Sequence, residues 1–502
     1  MNLQKAKANK TAYLIFIYCF YSALATAQTD NYWSWSFNTP STLLGGAVVG
    51  GSAGPSAVYY NPSLIGQENI ASLSLSASII SLQFLKVKNL AGENINGEDF
   101  IFKIQPRFLS YVIPTKNEKW GVEAVVLSPT SDEKEYVLQH ESEIDIIQRV
   151  EGLEKYVGYL RYNRRFDDTW VGAGFSYKIN PQFFIGSSAF VSTKILNYQF
   201  IQNAKAYQKS DTIIVNGQSE PKYIAESGFE EEVKYWDVSF VIKLGAQYKS
   251  KNEQFSIGAN VTFPNIPFLG TADVRKSGIR SNVFNNQSDQ FTSNQSFAEV
   301  ERDIKTLVKS PFSIALGMQY VTVSRKNSIL FTVEYFHSLD TYNSININSN
   351  VDSEILGDIP VSSTDFMSYY AGAKPVTNFA IGFKQYFNEK LFVLGGFRTD
   401  FSASSTSAFR FLEDKFKINQ VHLDKYHITL GPVARFKNIQ VITGLQYTYG
   451  RNRGFENIVN YANPVEYIPS TNQSLQGLRQ GNAEAYINEL ALFFGLTLGL
   501  KK

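Results

Sequence analysis

The stretch Leu43–Gly66, LLGGAVVGGSAGPSAVYYNPSLIG, determines how the rest of the chain is interpreted. It holds six glycines together with Pro55 and Pro62, a composition that disfavours both an ordinary helix and a continuous strand. It is followed by a long series of short segments in which apolar and polar residues alternate. The stretch is therefore predicted to be a compact plug, and the segments after it indicate what it plugs.

Residues 1–27 have the features of a secretory signal peptide. Three lysines precede the apolar run Tyr13–Phe20, and Ala25–Ala27 supplies a small-residue cleavage site, so the mature chain is expected to begin at Gln28. Cys19, the only cysteine, lies inside this segment. A mature chain without a thiol excludes disulfides, thiolate metal sites and cysteine nucleophiles.

The charge balance gives no reason to expect a nucleic-acid partner. The chain has 47 basic and 45 acidic residues, and loss of the three signal-peptide lysines leaves 44 against 45, with no basic run. The 38 Phe and 29 Tyr with a hydrophobic fraction of 44% fit a soluble β-protein. They also fit a membrane β-barrel, whose outward apolar and inward polar residues average to mild hydropathy.

Period-two alternation recurs along the chain and is clearest near its end. In Leu490–Leu500 the even positions are apolar and the odd positions are mostly small or polar. Val238–Lys249 and Ile439–Tyr449 alternate in the same way. The mature sequence has no run of 18 apolar residues, which excludes helical membrane spans.

The lengths of the connections distinguish a barrel from a sandwich. The fourteen predicted strands are residues 69–86, 99–113, 119–129, 169–179, 182–200, 234–249, 254–264, 311–324, 328–340, 376–387, 390–400, 424–436, 439–450 and 485–500. Tight turns alternate with long loops along this series, as in outer-membrane barrels, whereas the links of a sandwich vary irregularly. The sequence thus predicts an all-β fold: a transmembrane antiparallel β-barrel of 14 strands at residues 69–502, in the outer membrane of a gram-negative bacterium. The N-terminal segment and plug, residues 28–68, would lie in its lumen.

Several finer expectations concern the regions outside the membrane. The polar loops Ser281–Ser296 and Ile345–Ser353 are expected to be hydrated, and Tyr156–Arg165 to extend the sheet above the membrane. The pattern of Phe297–Lys309 weakly predicts a helix that caps the mouth. Aromatic residues at strand ends are expected to form interfacial girdles: Trp120, Trp170, Tyr235, Trp236, Tyr320, Tyr335, Phe336, Tyr447 and Tyr449.

Two motifs resemble the FadL/TodX family of outer-membrane transporters for long-chain fatty acids and other hydrophobic compounds. Ala57–Leu64, AVYYNPSL, is similar to the family signature ahead of the first strand, and Lys309–Tyr320 to its mid-barrel strand opening. The resemblance implies an N-terminal hatch in the barrel, a hydrophobic pocket near the extracellular mouth, and lateral release where the third strand kinks. In this chain the kink would fall at Ser128 and Pro129, since proline cannot donate to the ladder. The simpler alternative is that Pro129 only ends the strand.

Candidate site residues lie in the N-terminal segment and the plug. The aromatic residues predicted to bind ligand or form a gate are Trp33, Trp35, Phe37, Tyr59 and Tyr60. Equally, the aromatic N-terminus is a packed tether at the base of the plug. The residues predicted to form a plug hinge are Gly54, Pro55, Asn61 and Pro62, although Asn61-Pro62 is alternatively a fixed corner.

No catalytic, metal or cofactor site is predicted. The four histidines form no zinc pattern, and His427 has the parity of a lumen residue, the wrong side for hydrolysis of membrane lipids. The predicted function is passive uptake of hydrophobic compounds such as long-chain fatty acids, with a hydrophobic small molecule and outer-membrane lipids as partners. The alternative is a barrel that serves as an adaptor for secretion or surface-attachment machinery and binds a protein partner. A nonspecific hydrophilic porin conflicts with the plug.

Overall fold

The computed structural model describes residues 31–33, 37–67, 72–210, 212–347, 366–404, 418, 421–470 and 473–500. The predicted signal peptide and Trp35 lie outside these residues. Two short α-helices, α1 (Thr39–Leu43) and α2 (Ala57–Tyr60), and two 3-10 helices (Gly54–Ser56 and Pro62–Gln67) precede the sheet. Within the described ranges, no helix is both long and apolar enough to span a membrane.

Among the described residues, twenty-four strands follow in chain order. They are β1 (Ser72–Lys88), β2 (Gly97–Ile113), β3 (Trp120–Ile144), β4 (Glu154–Lys178), β5 (Phe183–Tyr207), β6 (Thr212–Val215), β7 (Gln218–Pro221), β8 (Ala225–Lys249), β9 (Phe255–Thr262), β10 (Ile266–Ser281), β11 (Phe284–Asn285), β12 (Gln290–Phe291), β13 (Gln295–Lys305), β14 (Ser313–Val321), β15 (Asn327–Phe336), β16 (Leu339–Ile345), β17 (Tyr369–Ala373), β18 (Val376–Tyr386), β19 (Leu391–Asp400), β20 (Asp424–Phe436), β21 (Ile439–Phe455), β22 (Tyr467–Ile468), β23 (Gln473–Ser474) and β24 (Ala483–Gly499).

Fourteen of these strands close into an antiparallel barrel. The main sheet has sixteen strands, and it closes where the lower part of β8 pairs with β9, which leaves β10 and β13 outside the ring. The ring order is β1, β2, β3, β4, β5, β8, β9, β14, β15, β18, β19, β20, β21 and β24, and β24 pairs back with β1. All fourteen predicted strands are present, so the predicted fold class is confirmed.

Lipid-facing and lumen-facing positions alternate as the sequence predicts. On β8, the side chains of Phe240, Ile242 and Leu244 are exposed on the outer surface, while Lys243 and Gln247 are buried inside. The outer surface therefore offers lipid an apolar band, and polar residues face the lumen. Of the residues predicted for the girdle, six are exposed on the outer surface: Trp120, Trp236, Tyr320, Tyr335, Tyr447 and Tyr449. The prediction is wrong for Trp170, Tyr235 and Phe336, which are buried.

The wall continues beyond the membrane on one side of the barrel. Strands β3, β4, β5 and β8 each have 25 residues, about twice the length needed to cross the apolar layer. The upper halves of these strands, with β13 and the part of β10 beyond Gly270, form a blade of six strands above the membrane. The prediction that Tyr156–Arg165 extends the sheet is confirmed, because it lies within β4.

A separate hydrophobic core fills the space enclosed by this blade and the long loops, and we call this region the cap. Its buried side chains include Tyr136, Tyr162, Phe200, Phe366 and Tyr461. The predicted helix at Phe297–Lys309 is wrong, since Gln295–Lys305 forms strand β13 paired with β10. The loops are less hydrated than expected, because Val283, Ile345 and Ile347 are buried in the cap.

The plug packs against the lumen wall through pairs of close backbones. A Cβ atom on Gly317 of β14 would lie 2.4 Å from the backbone nitrogen of Gly50, and one on Gly396 of β19 would lie 2.4 Å from that of Gly45. The glycines of the plug are thus matched by glycines of the wall. This contact explains the small-residue composition of Leu43–Gly66, since larger residues would hold the backbones apart.

The substitution Gly317→Val is expected to unseat the plug, because the added side chain would overlap Gly50 and Val49. Overpacking of this kind costs about 1–3 kcal/mol. Urea unfolding in bilayers should show this loss of stability, and single-channel recording should show a higher conductance. The control is Gly481→Val, where an added Cβ meets nothing within 4 Å. Equal conductance and equal stability of the two variants would contradict the proposed packing.

The cap contains a buried carboxylate that joins three loops. Glu466 is 1% exposed and accepts hydrogen bonds from the backbone N–H groups of Gln148 (2.9 Å) and Phe284 (2.8 Å). Burial, assisted by the nearby Glu154 carboxylate, raises the pKa of Glu466 to about 7 against the opposing effect of the two N–H donors. The folded cap therefore binds a proton at Glu466 more tightly than the unfolded loops do.

The stability of the cap is expected to depend on pH through Glu466. The stabilisation that Glu466 contributes to the cap is greatest below pH 4.5, the ordinary pKa of a glutamate. It falls as the pH rises from there to about 7 and changes no further above that pH. Hydrogen exchange at the Gln148 and Phe284 amides, corrected for the intrinsic rate, should slow between pH 8 and pH 5. In Glu466→Gln this change should disappear. The same pH profile in both proteins would show that Glu466 is not responsible.

Candidate functional site

An aromatic cluster lies where the plug meets the wall. The ring of Phe37 is 4.5 Å from that of Tyr59, 5.5 Å from that of Tyr60 and 5.9 Å from that of Phe108 on β2. Tyr59 also lies 5.5 Å from Trp170 on β4. Three of the predicted site residues, Phe37, Tyr59 and Tyr60, therefore come together. The wall adds Phe108 and Trp170, which are not among the predicted site residues.

The described N-terminal residues are fixed to the opposite wall. The backbone N–H of Trp33 donates to Asp400 (2.8 Å), and its indole N–H donates to Glu334 (2.8 Å). The ring of Tyr32 stacks on Phe336 at 4.6 Å. These contacts favour the packed tether over a mobile gate for Trp33, and they place its indole beside the pocket rather than in the aromatic cluster.

A pocket of about 90 Å³ lies inside the barrel between the plug and the cap. Its apolar lining includes Tyr32, Tyr59, Trp170, Val308 and Phe336. An engineered cavity of about 150 Å³ holds benzene, so this pocket must widen before it accepts a molecule of that size.

Buried cations make one side of the pocket polar. Lys243 is 3% exposed, and its ammonium group lies 3.9 Å from the centre of the Tyr59 ring. Lys194 donates to the hydroxyl oxygen of Ser310 at 3.0 Å. A desolvated ammonium over an aromatic face is stabilised by the quadrupole of the ring. The pocket lining thus combines apolar side chains with two ammonium groups, beside the carboxylates of Asp168 and Glu334.

The barrel wall is interrupted beside the pocket. Pairing between β2 and β3 covers only Phe108–Ile113 against Val122–Leu127, although both strands continue well above this level. A bulge follows in β3: Leu127 and Thr130 are three residues apart, whereas their partners on β4, Trp170 and Asp168, are two residues apart. We call the unpaired region above Phe108 and Leu127 the β2–β3 gap.

Ser128 and Pro129 form this bulge. Pro129 does not end the strand, since β3 runs on to Ile144, and the alternative interpretation of Pro129 is wrong. Pro129 and Thr130 line the pocket. Side chains rather than backbone bridge the gap at this level: Gln105 donates to Ser131 at 3.1 Å.

The predicted hinge residues have different environments. Asn61 is fully buried: its amide donates to Val49 O (2.8 Å) and Ala246 O (3.2 Å), and its oxygen accepts from the Ser63 hydroxyl (2.7 Å). Such contacts favour a fixed corner at Asn61-Pro62. Gly54 has a positive φ of 52° and, with Pro55, borders a small cavity of about 50 Å³ on the side of the plug away from the cap.

The histidines and acidic residues do not form a metal site in the described ranges. His427 points into the lumen as predicted, where its Nδ1 lies 2.8 Å from the Thr448 hydroxyl. His422 lies 2.9 Å from the Ser404 hydroxyl. Both rings belong to the polar lining of the lumen and not to the lipid face.

Comparison with known proteins supports the fold through structure alone. No protein-family model matches the sequence. No curated protein matches it either.

Solved structures do resemble the chain. The toluene transporter TodX of Pseudomonas putida aligns with a TM-score of 0.52 at 14% identity, covering 93% of this chain and 99% of TodX. A FadL homologue of Pseudomonas aeruginosa aligns with a TM-score of 0.51 at 12% identity, covering 95% and 100%. CymD, a monoaromatic hydrocarbon channel, aligns with a TM-score of 0.51 at 9% identity, covering 93% and 98%.

The chain therefore has the FadL/TodX-type fold of outer-membrane barrels in gram-negative bacteria. The three similar structures are described as a toluene transporter, a FadL homologue and a monoaromatic hydrocarbon channel.

Proposed function

We propose that this protein takes up hydrophobic compounds such as long-chain fatty acids by passive diffusion and releases them sideways into the outer membrane. The observation that carries the proposal is the position of the pocket. It reaches Pro129 and Thr130, at the level where β2 and β3 cease to pair. A molecule held in the pocket is therefore already next to an interruption in the wall.

The plug supports a route that avoids water. An apolar chain gains about 0.8 kcal/mol for each CH₂ that leaves water, so a hydrophobic pocket captures it without an energy source. The plug packs against wall glycines on β14 and β19, which opposes leakage of hydrophilic solutes through the lumen. Release through the wall transfers the cargo directly into lipid, so its apolar surface is not exposed to water a second time.

The β2–β3 gap is suited to opening because its bridges are side chains. Lys103 and Glu133 form an ion pair of 3.1 Å, and Gln105 contacts Ser131. The Glu133 side chain of this pair is 39% exposed and that of Lys103 11%, and a neutral hydrogen bond contributes about 0.5–1.5 kcal/mol. A strand ladder of the same length would hold the wall more firmly, since it forms many such bonds together.

The outer face beside the gap is strongly apolar. Phe100, Phe102 and Ile104 on β2 are 56%, 55% and 64% exposed, and the ring of Phe84 on β1 lies 4.7 Å from that of Phe100. These side chains offer a hydrophobic surface to a molecule that emerges between β2 and β3.

Closing the β2–β3 gap is expected to reduce transport. In Gln105→Cys/Ser131→Cys, a short reversible thiol crosslinker would join the two strands, and the predicted mature chain holds no other cysteine to react. Cells that lack their own channel for hydrophobic compounds should take up labelled oleate more slowly after crosslinking, with recovery on reduction. Ile257→Cys/Met318→Cys, a directly paired position on β9 and β14, is the control and should be unaffected. If cells that carry the wild-type barrel take up oleate no faster than cells without it, the proposed function is wrong.

Lys243 is expected to distinguish an acidic ligand from a neutral one. If a carboxylate pairs with its buried ammonium, Lys243→Met should weaken oleate binding about tenfold, or about 1.4 kcal/mol, and leave the binding of methyl oleate unchanged. Lys384→Met is the matched control, because Lys384 also lies over an aromatic ring but does not line the pocket. Quenching of tryptophan fluorescence during ligand titration would measure both affinities. Equal losses for both ligands would assign Lys243 a packing role only.

An adaptor role is the second candidate, and the cap favours it. The blade of β3, β4, β5, β8, β10 and β13 with its own hydrophobic core is a folded body of the kind that a protein partner could contact. Gentle solubilisation of the native membrane followed by affinity purification would test this role. A stable stoichiometric partner, with no effect of the barrel on oleate uptake, would favour the adaptor.

A further inference from the structure

The barrel wall has a second interruption on the far side of the pocket. Pairing of β9 with β14 ends at Thr262 and Ser313, and pairing of β10 with β13 begins only at Thr271 and Lys305. Between these points, residues 263–270 face residues 306–312. We call this region the junction gap, since it lies where β9 passes into β10 and β13 passes into β14.

Side chains close most of the junction gap. Asn265 takes the place of a ladder peptide: its amide nitrogen donates to Val308 O at 2.7 Å, and its oxygen accepts from Ser310 N at 2.5 Å. One backbone hydrogen bond, from Thr306 N to Gly270 O at 3.3 Å, also crosses it. Residues 264, 267 and 311 are prolines, which cannot donate to a ladder, so the sequence itself prevents regular pairing here.

The junction gap opens inward onto the same pocket. Val308 and Ser310 line the pocket at one end, and Pro129 and Thr130 of the β2–β3 gap line it at the other. The five strands between the two gaps, β3, β4, β5, β8 and β9, each contribute to the lining of the pocket. Pro129 and Thr130 come from β3, Asp168 and Trp170 from β4, Lys194 from β5, Lys243 from β8 and Thr262 from β9.

The outer face of the junction gap is apolar and lies in the lipid-facing band. Phe263, Ile266 and Leu269 are 41%, 58% and 57% exposed. The ring of Phe268 stacks on that of Phe240 of β8 at 4.5 Å. A molecule leaving the pocket at this point would meet hydrocarbon and not water.

We propose that the junction gap is a second lateral passage between the pocket and the membrane, with Asn265 as its latch. The passage rests on the proposed uptake function and extends it, because cargo in the pocket then has two exits on opposite sides of a five-strand wall. Release of the Asn265 amide removes the contacts that Val308 and Ser310 make toward β9, while Lys309 N still donates to the Tyr342 hydroxyl at 2.9 Å. On the inner side, Lys194 and Asp237 retain their own bonds to this segment, from Lys194 to Ser310 at 3.0 Å and from Val308 N to Asp237 at 3.3 Å. These inner contacts support the displaced segment without closing the opening.

Crosslinking one gap at a time tests the passage in the intact barrel. In cells, uptake of labelled toluene and of labelled oleate would be measured for Asn265→Cys/Ser310→Cys, for Gln105→Cys/Ser131→Cys, and for the variant with both pairs, each with and without the thiol crosslinker. Two parallel exits predict that closing either gap lowers uptake of at least one compound by about half and that closing both abolishes it. The paired control Ile257→Cys/Met318→Cys lies on the same two strands, within the intact ladder.

The outcome that overturns the proposal is specific. If closing the β2–β3 gap alone abolishes uptake and closing the junction gap changes nothing, there is no second passage. A photoreactive phenyldiazirine dissolved in the membrane tests the passage independently of transport. It should label residues 308–311 from the lipid side, and more strongly in Asn265→Ala than in the wild type. Absence of labelling in both proteins also overturns the passage, whereas labelling in a protein without uptake activity would leave the passage standing and refute only the proposed function.

Discussion

Close contact between the backbone of the plug and the backbone of the wall is the constraint on which the rest of the structure depends. A fourteen-strand barrel encloses more space than side chains from its own wall can fill. Here the space is filled at one level by a short segment of chain, and the match of Gly50 to Gly317 and of Gly45 to Gly396 lets it approach closely. Because the plug is held against the wall and not suspended from long side chains, its aromatic residues have fixed positions. Phe37 and Tyr59 can therefore form a floor for the pocket above.

The location of the pocket follows from this arrangement. The plug closes the lumen from below and the core of the cap fills it from above, so the remaining space lies at the level where the wall is interrupted. A regular ladder at that level would leave the pocket without a short path to lipid. The bulge at Ser128-Pro129 and the side-chain bridge at Asn265 mark the two places where the ladder is weakest around the pocket. Bulges of this kind commonly lie beside functional sites.

The fold was accessible from sequence because its two signals are local. Period-two alternation assigns each strand, and the regular alternation of short and long connections assigns the barrel. The cap was not accessible, because the residues that bury Val283 and Ile345 come from distant loops and no local period marks them. The helix predicted at Phe297–Lys309 failed for a related reason: in an isolated stretch, pairing with β10 cannot be seen, and tertiary pairing outweighed a weak 3.6-residue pattern.

The candidate site was predictable in part. Phe37, Tyr59 and Tyr60 were selected as aromatic residues near the plug, and the structure brings them together. Trp170 is predicted as a girdle residue, but it lies on the inner face of the barrel. Successive residues of a strand point to opposite faces, and its neighbour Val171 is exposed on the outer face. Parity was therefore a usable signal for pocket residues on every strand. At the junction gap the sequence offers only the prolines at positions 264, 267 and 311, and these do not reveal that residues 263–270 face residues 306–312.

The cap and the gaps together constrain how cargo could move. Passage along the barrel axis would have to separate a core that buries Tyr136, Tyr162 and Phe200, and exposing such side chains costs several kcal/mol in total. Passage through the wall requires that a few side-chain hydrogen bonds, one backbone hydrogen bond at the junction gap and the Lys103–Glu133 ion pair at the β2–β3 gap separate, at about 1 kcal/mol each. Exchange between the pocket and the membrane is therefore the easier movement in this barrel. Capture from outside needs a separate event in which the cap loosens. Such loosening would separate the loop contacts that Glu466 makes with Gln148 and Phe284.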